Sequence, residues 1–221
     1  MTTSTKAITE LSTKTVVEEG LINPLFVMDS VPSLAVSEMI LVIAVVIMGL
    51  LVLSFTMAYL LPQIAFANAQ GQAGNIARSS AISVGPLLVN KATGVGSMVM
   101  VYSNPSIRGY VYVVAFLEPS YLEPSVGLLT PSPSSTTSFA VYFPNGTEAE
   151  QVLVDQVYDV GGQEIYYNPG QPLIAYKVPF NTPVTIKVSG ISNNEILVIW
   201  VLYNPGYWFR VSYTFTGVVP S

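Results

Sequence analysis

SLAVSEMILVIAVVIMGLLVLSF, Ser33 to Phe55, decides how this chain is read. From Met39 to Ala77 no side chain carries a charge, and a single carboxylate, Glu38, stands at the mouth of the run. A soluble core helix does not stay uncharged for so long, and a plain membrane anchor has no need of the carboxylate. Val36 to Leu61 is Val, Ile, Leu, Met, Ala and Phe, broken only by Ser37, Glu38, Gly49, Ser54, Thr56 and Tyr59. As a helix it is roughly 39 Å long at the usual rise, against a hydrocarbon core of about 30 Å. Being apolar around its whole circumference, it must be surrounded by lipid or by other apolar helices.

Past this run the composition changes. Pro62 has no N–H to donate and is expected to kink or interrupt the helix. The stretch to Ala81 is then mostly small and neutral, with Ala65, Ala67, Ala69, Gly71, Ala73 and Gly74 interleaved with Asn and Gln. Such a stretch suits helices that approach closely, as in tight bundles; it equally suits a flexible juxtamembrane linker. On the N-terminal side, residues 1–33 read as a leader or arm, rich in threonine and mildly acidic, with one apolar cluster from Leu21 to Val27. A secretory signal would place basic residues directly before the apolar run, and here Asp29 and Glu38 flank it.

From about Val84 onward the pattern is one of strands separated by proline and glycine. VGSMVMVYS, YVYVVAFL, SFAVYF, QVLVDQVYD, PLIAYKV, PVTIKV, EILVIWVLY and YWFRVSYTF are rich in the β-branched and aromatic residues that suit a pleated sheet. Turn signals recur at Pro144-Asn145-Gly146, Asn168-Pro169-Gly170 and Asn204-Pro205-Gly206, and the last predicts a type II turn closing a hairpin. The proline- and serine-rich stretch from Glu118 to Ser138 reads as an extended surface loop. The fold class is therefore α+β: a long hydrophobic α-helix followed by an all-β antiparallel, immunoglobulin-like sandwich. The expected divisions are 1–33, 34–80 and 81–221. Strands over Tyr110–Leu117 and Ile196–Tyr203 are apolar on both faces, so neighbouring subunits are expected to cover an outer face.

The chemistry available is narrow. The 221 residues include no cysteine and no histidine, with 8 basic against 13 acidic residues and a net charge of −5. Disulfides, thiolate nucleophiles, the usual zinc sites and the commonest general base are all removed. No region is basic, so the electrostatic footprint of a nucleic-acid binder is missing. Gly94-Val95-Gly96 is too short for a phosphate loop. The carboxylate pairs Glu148 with Glu150 and Asp155 with Asp159 are the remaining acid–base candidates, and Asp155, Asp159 and Glu164 the remaining cation ligands. The simpler reading of all of them is solvated turns, so the chain is expected to be no enzyme and to need no cofactor or metal. Asn145-Gly146-Thr147 is a sequon for N-linked glycosylation in a predicted turn.

The order of parts, an apolar helix opening with a carboxylate, a proline partway along, a small-residue extension and then a β-sandwich, resembles the archaeal type IV pilin and archaellin superfamily. SEMILVIAVV is similar to the helix openings of that family. The resemblance implies a leader cut between Ser33 and Leu34, which would place Glu38 fifth in the mature chain. It implies a membrane-inserted precursor, then a helical homopolymer with helices in the core and β-domains outside on the cell surface. Glu38, Gly49 and Pro62 become the candidate assembly residues, Glu38 by meeting a neighbour's freed amine. Two other roles share the features up to Leu61: an anchored, non-polymerising archaellum-stator-like protein, and a membrane-anchored capsid or vertex protein of an archaeal virus.

Overall fold

The computed structural model describes residues 31–90, 92–132, 138–192 and 194–217. The leader or arm up to residue 30 lies outside them. The chain divides into two compact units, residues 1–55 and 56–221. The small-residue extension thus belongs with the β-domain, and not with the apolar helix with which its sequence groups it.

Helix α1 spans Val31–Phe55. Pro32 falls in its first turn, where the missing N–H would have no partner in any case. A five-residue π turn, Thr56–Leu60, precedes helix α2, Leu61–Ser79, so that the backbone is helical over 46 residues from Leu34 to Ser79. The interruption expected at Pro62 takes this form. In an α-helix the proline ring would crowd the carbonyl four residues back, and that carbonyl would lose its donor. Widening the preceding turn shifts the hydrogen-bond register by one residue, and the helix continues.

Helix α2 is neither a free linker nor a bare bundle element. Phe66, Ala69, Ala73 and Ile76 recur at helical spacing and face the β-domain, the last three buried. Phe66 makes edge-on contacts with Tyr158 and Tyr207, ring centroids 4.9 and 5.1 Å away, and packs on Phe209 at 5.5 Å. The two buried alanines let the helix axis approach the sheet closely, and Gln70 adds a hydrogen bond from Nε2 to the Val160 carbonyl at 3.1 Å.

The β-domain has two sheets. The first holds β1 (Ala81–Val84), β2 (Leu88–Asn90), β3 (Val95–Ser103), β5 (Phe139–Tyr142) and β10 (Val184–Ser189), in the order β1-β3-β10-β5 with β2 also on β3. The second runs β6 (Glu150–Val154), β9 (Leu173–Pro179), β4 (Tyr110–Pro119), β11 (Glu195–Tyr203), β12 (Phe209–Gly217), β7 (Gln156–Asp159), β8 (Glu164–Tyr167). Named strand pairs are antiparallel except β12 with β7, which run parallel over Phe209↔Tyr158 and Arg210↔Asp159. QVLVDQVYD, expected as one strand, is broken at Asp155 into β6 and β7.

That break determines the shape of the second sheet. Strands β6 and β7 are joined by Asp155 alone, yet four strands lie between them in the sheet order. One residue spans at most about 3.6 Å, whereas five strand spacings in a flat sheet come to about 24 Å. The sheet must therefore curl until β7 and β8 return towards β6. The Asn168 N–H, just past β8, donates to the Asp155 carbonyl at 2.9 Å and holds the junction.

Curling encloses the outer face of β4 and β11. Val114, Phe116, Val198, Trp200 and Leu202 pack with Val154 of β6, with Val157 and Tyr166 of the returning strands and with Val126 from the Glu118–Ser138 stretch. That stretch is not simply extended: Ser120–Leu128 forms a 3-10 helix. The inner face of β4 and β11 is covered in two parts, by the first sheet through Met98, Val141 and Ile186, and by α2. Trp200, Ile199 and Leu202 are all 0% exposed. The expectation that neighbouring subunits cover these strands is corrected: the chain covers both faces itself.

The hairpin expected at Asn204-Pro205-Gly206 is present between β11 and β12. Gly206 has the positive φ, +121°, that the turn requires, and Asn204 Oδ1 accepts its N–H at 2.9 Å. A second asparagine, the fully buried Asn104, ties the end of α2 to the sandwich. Its Nδ2 donates to the hydroxyls of Ser79 and Ser80 at 2.9 and 2.7 Å, and its Oδ1 accepts the N–H groups of Ser106 and Ile107. Its backbone exchanges two hydrogen bonds with the Asn181 side chain. Replacing Asn104 by Ala orphans several of these buried groups, at about 1–3 kcal/mol each where they stay unpaired. Denaturant unfolding of the full chain in detergent should show Asn104→Ala destabilised by about 3 kcal/mol, and an unchanged midpoint would refute the latch.

Candidate functional site: the apolar helix surface

Every described side chain of α1, from Leu34 to Phe55, is exposed. Leu34 is 67% exposed, Met48 68% and Phe55 59%, and no face of the helix is polar. Covering one such aliphatic side chain is worth about 1.5–3 kcal/mol, so a helix of this length represents tens of kcal/mol of uncovered surface. Among the described residues no other element has this character over its whole length. By length and composition α1 with its continuation is able to cross a membrane.

Glu38 lies on this surface and is exposed. It does not stand at the helix start, as its place in the sequence suggests: α1 begins at Val31, and its first turn contains no acidic residue. The helix macrodipole acts within the first turn, so Glu38, two turns in, gains little from it. A carboxylate on this helix instead needs water, a headgroup region or a cationic partner, since hydrocarbon around it costs ~3 kcal/mol on insertion scales. Gly49 lies mid-helix with no atom within 4 Å of where a Cβ would be, so it opens a notch in the helix surface. Ser33 and Leu34 fall within the opening turns of α1; a cut between them would require those turns to open. Pro62 is in α2, just past the π turn.

The carboxylates of the β-domain are separately engaged. Glu150 pairs with Lys177 at 3.0 Å, while Glu148 Oε1 accepts from Gln151 at 3.1 Å and from the Tyr176 hydroxyl at 3.3 Å. Asp159 Oδ1 accepts the Gln163 N–H at 2.8 Å, and Glu164 accepts from Gln156. Among the described residues no three potential metal ligands converge, so Asp155, Asp159 and Glu164 do not form a cation site. A cavity of about 510 Å³ opens beside Phe116, Phe139, Tyr166, Gln151 and Tyr176, and is mainly apolar. Arg210 is held between aromatic rings, its Cζ 4.9 Å from Trp200 and 5.2 Å from Tyr213, and burial lowers its basicity.

Asn145 is at the tip of the turn after β5, exposed as expected. The residues that position α2 carry a signal within the small-residue stretch: Phe66, Ala69, Ala73 and Ile76 follow a 3-4-3 spacing that marks one packed helix face. Asn104 gave no such signal, because Ser79, Ser80 and Asn181, which it ties together, lie far away in sequence.

No protein-family model matches this chain, and no curated protein matches it. Among solved structures, a conjugative transposon lipoprotein from Bacteroides eggerthii DSM 20697 aligns with 63% of this chain and 98% of its own length, at 7% identity and a TM-score of 0.31. A likeness of that size carries no statement about fold or activity.

Burial and then the neighbouring Glu148 carboxylate push the Tyr176 hydroxyl up to about 12 from 10.0. The folded state keeps this proton where the unfolded state releases it, so the stabilisation is complete below pH 10 and is lost as pH rises towards 12. Tyr176→Phe should therefore show a shallower loss of stability between pH 10 and 12 than the unaltered chain in denaturant titrations. Identical slopes would contradict the assignment.

Proposed function

We propose that this chain is a structural subunit of an extracellular pilus- or archaellum-like filament, inserted in the membrane by α1 before assembly and polymerised through α1 afterwards. The observation that carries the reading is the contrast between the two units: the β-domain encloses its own doubly apolar strands, whereas α1 is uncovered on every side. An element of this kind is covered in turn by lipid and by copies of itself. The resemblance of SEMILVIAVV and of the helix-then-sandwich plan to the archaeal type IV pilin and archaellin superfamily supports the same reading. In it, Glu38 is the polar group that registers an incoming helix, and Gly49 gives neighbouring helices room to approach.

Two of the small residues past Leu61, Ala69 and Ala73, pack on the β-domain, while Ala65, Ala67 and Gly71 stay exposed. The packed pair favours a second reading, a surface protein held in the membrane by α1 without polymerising, in which α2 serves the β-domain. In that reading Glu38 lies at the headgroup boundary, and Met39 to Leu61, roughly 34 Å as a helix, crosses the hydrocarbon.

The absence of native cysteine makes the two readings separable. Single cysteines at Ile43, Ala44, Val45 and Val46, about 100° apart around the helix, sample different sides of α1. Mild oxidation of the surface fraction should give disulfide dimers at several of these positions if helices bundle. Glu38→Gln should lower the yield of assembled material several-fold while leaving membrane association intact. Absence of cross-linking at all four positions would leave the monomeric anchor.

A further inference from the structure

We infer that Asn145 is the acceptor of an N-linked glycan and that the turn between β5 and β6 is built to present it. The turn is tight: Gly146 N–H donates to the Phe143 carbonyl at 2.9 Å, and Phe143 N–H to the Thr147 carbonyl at 2.8 Å. Tyr142 and Glu148 form a bridge beneath it. Gly146 takes φ +82°, and a Cβ there would meet nothing within 4 Å, so the tip stands clear of the rest of the chain. Pro144 to Glu148 are all exposed.

Within the tip the asparagine is arranged by its own sequon. Thr147 donates to Asn145 Oδ1 twice, from its hydroxyl at 2.7 Å and from its backbone N–H at 3.0 Å. The amide oxygen is thereby occupied, on a side chain that is exposed. Three other asparagines differ in chemistry: Asn104, Asn168 and Asn204 are each followed by proline, and Asn104 is buried. Asn145 combines exposure, a hydroxyl residue two places on and a glycine between them.

The reaction needs a saccharide activated as a lipid-linked phosphate or diphosphate, supplied outside the membrane together with its transferase. Asn145 Nδ2 attacks the anomeric carbon; the N–C bond forms as the anomeric C–O bond to phosphate breaks. The lipid phosphate leaves with the bonding pair, and one Nδ2 proton passes to a base of the transferase. No oxidation or reduction is involved. The inference rests on the part of the proposed function that places the β-domain outside the membrane, and not on polymerisation.

The test is mass spectrometry of the chain from cells that make it naturally, with amine labelling of intact cells at Lys187 to report location. A saccharide mass on the peptide containing Asn145 is expected, lost in Asn145→Gln and Thr147→Ala and retained in Thr147→Ser. Surface-labelled chain with unmodified Asn145 overturns the inference and leaves the proposed function standing. Unlabelled and unmodified chain overturns both.

Discussion

Strands β4 and β11 have no polar face, and the rest of the β-domain follows from that constraint. A strand apolar on both sides has to be covered twice. The inner face is covered by the first sheet and, beyond it, by α2; the outer face is covered by the curled ends of the same sheet and by the 3-10 segment. Trp200, 0% exposed and edge-on to Phe116 with centroids 5.4 Å apart, lies within that second enclosure. An aromatic of this size in a core represents about 3–5 kcal/mol against alanine, so its surroundings cannot be optional.

The same constraint separates the two units. Once the β-domain has enclosed β4 and β11, it has no need of a neighbour to satisfy them. Helix α1 is the reverse case, since its exposed surface is aliphatic over its whole described length. Helix α2 marks the change between the two regimes. Its sequence is uncharged as far as Ala77, but Phe66, Ala69, Ala73 and Ile76 share one face that is used within the chain, while Leu61 and Ile64 stay exposed as α1 does. The π turn before it lets Pro62 stay in a helix that would otherwise break.

Much of this was legible in the sequence, for reasons that differ from element to element. The bounds of β3 and β11 match the stretches VGSMVMVYS and EILVIWVLY, and the β11–β12 hairpin follows from Pro205-Gly206. The curl was not legible, because it depends on Asp155 ending one strand and starting another, and a charged residue inside QVLVDQVYD reads locally as an outward-facing strand position. Strands β1, β2 and β8 are three or four residues long, too short for a period of two to register. Pro32 stands in the first turn of α1, so Glu38 lies two turns in and not at the helix opening. The exposure of Asn145 followed from turn chemistry alone.

The central claim is that the β-domain is complete in itself and that the apolar helix, as far as Ile64, is left to be covered by others. Sedimentation equilibrium of the fragment 63–221, in buffer without detergent, tests it most directly. The account predicts a folded monomer with the β11 amides strongly protected from hydrogen exchange. A fragment that associates through its sheets, or that requires detergent to stay in solution, would contradict it.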